Sequence, residues 1–229
     1  MNQSLRIGGF IPLSTVDYPG ALAAVIFCQG CAWRCRYCHN PELLPSIGAE
    51  EIAWLDIINF LKKRQGLLDA VVFSGGEPIL QNNLRDAIEQ VIELGYNVGL
   101  HTAGSKPERL NKLLPLINWV GLDIKAHSEL HHTVTGVPGS GTVSWKSAHL
   151  IINSSIDYEI RITIHPDLIT PEHFERILQQ LKQMGAKRVV VQNCQMKTVL
   201  DTTLSTAYFD KNRYQSILNT TNFESYKFL

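Results

Sequence analysis

With 229 residues, 45% of them apolar, the chain is long enough to bury a core of its own and has the ordinary composition of a globular domain. Lysine plus arginine equals aspartate plus glutamate at 21 each, which removes any bulk electrostatic case for a nucleic-acid partner. No apolar run approaches the ~18 residues of a membrane span, and the start, Met1-Asn-Gln-Ser-Leu-Arg-Ile-Gly-Gly9, has no signal-peptide core, so a cytoplasmic protein without nucleic-acid or membrane partners is expected.

In chain order, the stretch from Gly8 to Gly20 is rich in turn formers and is expected to lie as a lead across the mouth of the fold. Leu22 to Phe27 is a continuous apolar run, as in a strand buried on both faces of a parallel sheet. A cysteine-rich loop follows it. Glu50 to Arg64 sets Ile52, Leu55, Ile58 and Leu61 at helical spacing, ends in basic residues and precedes Gly66, which predicts an amphipathic helix. Ala70–Phe73 reads as a second strand, Leu84–Leu94 as a helix closed by Gly95, and Asn97–Leu100 as a third strand. Pro107–Leu116 is a shorter helical stretch opened by proline, Trp119–Ile124 a fourth strand and Val143–Asn153 a helix. Tyr158–Ile164 alternates as a fifth strand. Thr170 would cap a helix over Pro171–Met184, stopped by Gly185, before a sixth strand at Arg188–Gln192. After Leu200 a helix or an irregular cover is expected.

Six strands alternating with helices predict parallel βαβ units. Six repeats fall short of the eight-stranded barrel, so the expected fold class is α/β, a partial (β/α)6 barrel. One domain over 1–229 is expected, with its core at about 20–192, an N-terminal lead over 1–20 and a C-terminal cover over 193–229.

Four of the five cysteines, Cys28, Cys31, Cys35 and Cys38, fall in the loop after the first strand. In a chain of cytosolic character such crowding argues for metal or redox chemistry rather than a disulfide framework. Structural zinc commonly uses two Cys-x2-Cys knuckles a dozen or so residues apart, and here only three residues separate the pairs. The triplet Cys31-x3-Cys35-x2-Cys38 suits three ligands of an iron-sulfur cube better, leaving one iron open to a substrate or cofactor. At the end of a buried strand, Cys28 reads first as a packed hydrophobe.

Other suggestive residues fall at strand ends, where such folds carry their sites. Ser74-Gly75-Gly76-Glu77 follows the second strand; the glycines permit close ligand approach and Glu77 offers an acceptor for an ammonium group, although such a triplet also occurs in ordinary turns. Asp123 and Lys125 lie on one side of the fourth strand's end, either as a plain ion pair or as site residues. His165, with Arg161 and Thr163, alternates along the fifth strand toward its end, where it either faces the site or begins a loop. His127, His131 and His132 sit in a predicted loop with no metal-like spacing.

The cysteine triplet, with Tyr37 before its last member and Gly-Gly-Glu after the next strand, resembles the cluster loop and cofactor segment of the radical S-adenosylmethionine (radical SAM) superfamily. The resemblance implies a 4Fe-4S cluster on Cys31, Cys35 and Cys38 with S-adenosylmethionine (SAM) on the open iron. It further implies cofactor contacts from Tyr37, His39, Ser74, Gly75, Gly76 and Glu77. Gly121-Leu-Asp-Ile-Lys125 resembles the glycyl radical enzyme activases, in which the aspartate organises the cofactor carboxylate through a bound cation. Where those activases read Asp-Thr-Asn-Gly, this chain has His101-Thr102-Ala103-Gly104, so His101 stands either as a direct donor or as a structural histidine.

Val16-Asp-Tyr-Pro-Gly20, Phe27-Cys-Gln-Gly-Cys31 and Tyr37-Cys-His-Asn-Pro-Glu-Leu43 are most similar to the activating proteins of anaerobic ribonucleoside-triphosphate reductase. By that resemblance Asp17 would contact the target peptide, and the partners would be that reductase and a flavodoxin or ferredoxin-type electron donor. The implied reaction is reductive cleavage of SAM, with hydrogen abstraction from a glycine of the partner; the protein supplies binding, orientation and exclusion of side reactions. Two other readings stay open from sequence: a small radical SAM enzyme acting on a low-molecular-weight substrate such as a deazapurine precursor, and a structural or redox-sensing metal protein.

Overall fold

The computed structural model describes residues 5–196, 198–205 and 209–228. The first four residues of the N-terminal stretch and the last residue of the expected domain lie outside the described residues. Contacts divide the chain into two compact units, one comprising the residues up to Ala32, Glu42–Thr102 and Glu108–Gly121, the other Trp33–Pro41, Ala103–Pro107 and Leu122 onwards.

The first unit carries β1 (Ile7–Ser14), β2 (Ala23–Cys28), α1 (Trp54–Lys62), β3 (Ala70–Gly75), α2 (Leu84–Glu93) and β4 (Asn97–Thr102). Most of α3 (Pro107–Leu113) and the start of β5 (Trp119–Asp123) also belong to it. Strands β2, β3 and β4 pair in parallel in chain order, and β1 adds antiparallel to β2. The apolar runs of β2 and β3 are buried on both faces, as their lack of alternation requires. Ala23 lies opposite Ala70 and Val25 opposite Val72, and these four form a buried cluster against which Tyr18 and Phe27 pack.

Two expectations are corrected here. The stretch from Gly8, read from its turn formers without a strand, begins within strand β1, Ile7–Ser14. Gly8, Gly9 and Pro12 hid it: an edge strand tolerates proline, and the ladder absorbs register shifts between Ile7 and Gly9 and between Ile11 and Ser14. Helix α1 begins at Trp54 rather than Glu50, and it buries Ile57, Ile58 and Leu61. Leu55, expected on the apolar face, is 66% exposed, since each residue turns the helix by about 100° and the face is set by Ile57 and Leu61.

The second unit carries α4 (His131–Thr135), α5 (Ser140–Ile152), β6 (Asp157–Ile164), α6 (Pro171–Gln183), β7 (Arg188–Asn193), α7 (Lys211–Thr220) and β8 (Ser225–Phe228). Strands β6, β7 and β8 pair in parallel in that order. Tyr158, Ile160 and Ile162 are buried on β6 while Asp157 is exposed and Glu159 and Arg161 are only partly buried, the alternation expected from sequence. Thr170 caps α6 as predicted, its hydroxyl accepting from the His173 amide at 3.3 Å, with Pro171 in the first turn.

His131 and His132 do not sit in a loop but open α4, which at five residues is too short to show a period. Strand β8 was not predicted, and α7 fills part of the expected C-terminal cover. The described strands thus number eight rather than six, the two additions lying at the chain's ends.

Candidate active site

In the first unit the site is built on the ends of β2 and β3. Cys28, fully buried at the end of β2, lies opposite Gly75 in the ladder. Gly75 takes φ +112°, and a Cβ there would fall 2.3 Å from the Cys28 amide nitrogen; a Cβ on Gly76 would fall 2.5 Å from the Gly30 carbonyl oxygen. Only glycine fits either place. The close approach lets the Gly76 amide donate to the Cys28 carbonyl and the Glu77 amide to the Gly30 carbonyl, both at 2.9 Å. Ser74, one residue earlier on β3, is partly buried opposite Phe27.

Backbone and amide groups also fix the start of the cysteine loop. The Gly30 amide donates to Leu43, the Cys31 amide to Leu44, and the Gln29 side chain to the carbonyls of Glu42 and Pro45. Gln81 donates to the Gln29 carbonyl at 3.1 Å. Glu77 is buried, and its carboxylate accepts the Thr102 hydroxyl from the end of β4 at 2.6 Å. Burial, with the Glu77 charge adding to it, drives the Cys28 thiol far above its usual range.

His101, beside Thr102, packs edge to face on Trp119 and shares a 2.8 Å hydrogen bond with the Asp17 carbonyl oxygen. The Asp17 carboxylate accepts the Ser14 hydroxyl at 2.5 Å. The bland role foreseen for His101, a ring satisfied by its surroundings, therefore has a partner in the structure.

In the second unit Cys35 and Cys38 share a turn, closed by the Cys38 amide donating to the Cys35 carbonyl at 2.8 Å. Burial pushes the Cys35 thiol up to about 11 against the opposing pull of Lys125. Tyr37, between them, is 3% exposed, and its hydroxyl has no hydrogen-bond partner among the described residues. Burial also drives that phenol upward. Lys125 lies 5.6 Å from the centre of the Tyr37 ring and 3.3 Å from Asp123. Burial disfavours the ammonium, but the Asp123 carboxylate, together with Tyr37 and Cys35, outweighs it and holds Lys125 protonated.

The strand-end pair foreseen for Asp123 and Lys125 is thus formed, and it extends across the unit. Arg161 lies 3.7 Å from Asp123 and 3.4 Å from Gln192, which donates to Thr163 at 2.8 Å. His165, buried at the end of β6, accepts from the Asp167 amide, while its carbonyl takes the amides of Leu168 and Ile169. His39 sits 3.6 Å from Cys194, and burial followed by the Lys125 charge lowers its imidazole.

Cys31, Cys35 and Cys38 form no disulfide and are partly exposed, whereas Cys28 and Cys194 are buried. Among the described residues no three His, Cys, Asp or Glu side chains are arranged around a point that would hold a single metal ion. Sequence reasoning missed Thr102, Gln81 and Gln192. Thr102 was findable, being the polar residue at the end of β4; nothing local distinguishes the two glutamines.

These strand ends define an α/β protein whose cysteine loop, glycine pair and polar residues lie after parallel strands, the usual place for a cofactor site. The chain belongs to the radical SAM superfamily, whose family model matches residues 25–181. It is 32% identical over 190 residues to a putative glycyl-radical enzyme activating enzyme of Methanocaldococcus jannaschii, covering 77% of this chain and 75% of that one. It is 31% identical over 170 residues to the pyruvate formate-lyase 1-activating enzyme of Escherichia coli K12, covering 70% and 68%. Among solved structures, Streptococcus suis SuiB bound to its precursor peptide SuiA superposes with a TM-score of 0.71 at 17% identity, over 89% of this chain and 48% of SuiB. The chain therefore spans about half the length of SuiB.

The expected α/β fold class of the radical SAM type holds, and the chain is a radical SAM enzyme of the glycyl radical activase kind, with a 4Fe-4S cluster and SAM as its cofactors. No helix among the described residues is long and apolar enough to cross a membrane. The residues suit those groups: three accessible thiols in one loop, a buried phenol whose hydroxyl awaits a partner, and a buried carboxylate beside a glycine pair.

Proposed function

We propose that this chain activates anaerobic ribonucleoside-triphosphate reductase by generating a glycyl radical on it. Cys31, Cys35 and Cys38 would hold the cluster, with one iron left for SAM. Glu77, with the backbone of Ser74, Gly75 and Gly76, would take the methionine ammonium group; Asp123 and Lys125 would orient its carboxylate; Tyr37 and His39 would line the nucleoside. When bound, the cluster supplies the electron that cleaves SAM, and the resulting organic radical removes a hydrogen atom from the target glycine.

Asp17 would meet the target peptide, held in place by Ser14 on its carboxylate and His101 on its carbonyl. A cytoplasmic flavodoxin or ferredoxin-type protein would deliver the electron. His165, at the end of β6, would be a further cofactor contact.

The observation that carries this reading is the backbone stitch from Gly76 and Glu77 to Cys28 and Gly30. It joins the segment that would bind the SAM ammonium group to the start of the loop that would hold the cluster. The test is anaerobic reconstitution with iron and sulfide, then electron paramagnetic resonance of the reduced protein mixed with SAM and the purified reductase. Four irons per chain, methionine release and a doublet from a backbone carbon radical are expected. SAM cleavage without that doublet would shift the assignment to another partner or to a small substrate such as a deazapurine precursor.

A further inference from the structure

The segment after β7 crosses back to the loop that carries Cys35 and Cys38. Arg36, directly after Cys35, has its backbone and its guanidinium engaged. Its amide donates to the Val134 carbonyl at 2.9 Å, its carbonyl accepts the Asp201 amide at 2.8 Å, and its Nε donates to the Asp201 carboxylate at 2.6 Å. Asp201 is itself held, since the amide and hydroxyl of Thr203 both donate to its other carboxylate oxygen, at 2.9 and 2.6 Å. The same segment touches the loop again at His39, where the Thr198 hydroxyl donates to the His39 carbonyl at 3.3 Å. Further along, Ser205 anchors it to Asp167, with amide and hydroxyl each at 2.8 Å.

A partly exposed ion pair contributes little to stability on its own. Here the pair is combined with a backbone bond between the same two residues, so rotation of Arg36 is blocked at both ends. The contacts at Arg36 and His39 flank Cys38, and the amides of Arg34 and Arg36, bonded to Thr135 and Val134, flank Cys35. Groups that orient metal ligands without touching the metal commonly change its affinity by about 10- to 100-fold.

We infer that Asp201 is a positioning residue for the cluster: through Arg36 it fixes the turn that aims Cys35 and Cys38, although it lies 165 residues further along the chain. This rests on the cluster reading proposed above. Residues 198–205 then have a defined task, to hold the ligand loop in register, which accounts for the Cys194 contact with His39 as packing rather than ligation.

The test compares reconstituted wild-type holoenzyme with Asp201→Asn, following iron release to a chelator, the cluster's reduction potential and the melting temperature of the apoprotein. Asp201→Asn is expected to speed iron release about tenfold and to shift the potential, with the apoprotein melt nearly unchanged. Equal release rates and equal potentials would overturn the inference. If Asp201→Asn fails to fold, Thr203→Val decides, because it keeps the charge and removes the hydroxyl, one of the two donors to that carboxylate oxygen. Faster iron release in that variant supports the assignment, and an unchanged rate refutes it. Wild-type protein that binds no cluster at all would instead sink the cluster reading, which separates the two failures.

Discussion

Thr102 donates its hydroxyl to the buried carboxylate of Glu77 at 2.6 Å, tying the end of β4 to the residue that follows the glycine pair. A hydrogen bond to a charged group contributes about 1.5–3 kcal/mol. Thr102→Val keeps the shape and removes the donor, so it is expected to lower unfolding stability by that amount and to weaken SAM binding. Thr102→Ser should restore most of both. Urea melts and calorimetric SAM titration of the reconstituted protein check this; a Val variant matching wild type in both would remove Thr102 from the site.

Cys28 and Cys35 part company although both lie in the cysteine-rich stretch. Cys28 is fully buried in the β2 ladder, whereas Cys35 is partly exposed in a turn with Cys38. Cys35→Ser is expected to abolish SAM cleavage and reduce bound iron. Cys28→Ser should retain both, at a stability cost of about 1–3 kcal/mol for burying a hydroxyl. Iron analysis and methionine release measured on the two variants decide it, and equal loss would mean that the ligand set is wrong.

What could be read before the structure follows from how local each signal is. The apolar runs of β2 and β3, the Thr170 cap and the glycines after helices act within a few residues, so those elements were legible. Strand β1 was not, because Gly8, Gly9 and Pro12 are breakers by composition and only the neighbouring β2 makes an edge strand of them. The exposed position of Leu55 likewise depends on which side of α1 meets the sheet. In the site, Glu77 and Lys125 were visible as motif residues. Thr102 joins Glu77 and Gln192 joins Arg161 only by tertiary contact, and Asp201 meets Arg36 across most of the chain.

Asp123 stands between two cations, 3.3 Å from Lys125 and 3.7 Å from Arg161. Asp123→Asn leaves Lys125 with burial and no opposing carboxylate. For a fully buried pair the loss would be about 3–5 kcal/mol. With the Asp123 side chain 25% exposed, about 1–3 kcal/mol is expected after allowing for solvent screening. The ammonium of Lys125 should also titrate lower, detectable as greater reactivity toward an amine-modifying reagent at pH 9. An unchanged modification rate would show that Asp123 does not govern Lys125.

His131 links the pH response to the cysteine loop. Its ring is fully buried, with Nδ1 2.9 Å from the Ser140 hydroxyl and a T-shaped contact with Trp33 at 5.2 Å between centroids. Burial, reinforced by the Lys125 charge, lowers its imidazole to about 3, against about 6.5 in the unfolded chain. Between those values the unfolded chain holds a proton that the folded one does not, so stability falls as pH drops through that window, by at most about 1.4 kcal/mol per pH unit from this group. Substituting His131→Gln should flatten the slope of the urea midpoint between pH 7 and pH 5 relative to wild type; parallel slopes would exclude the histidine as its source. Because the Thr135 and Val134 carbonyls accept the amides of Arg34 and Arg36, loosening α4 by acid also releases the turn that carries Cys35. Iron loss from the reconstituted protein should therefore accelerate over the same pH window in wild type and less so in the glutamine variant.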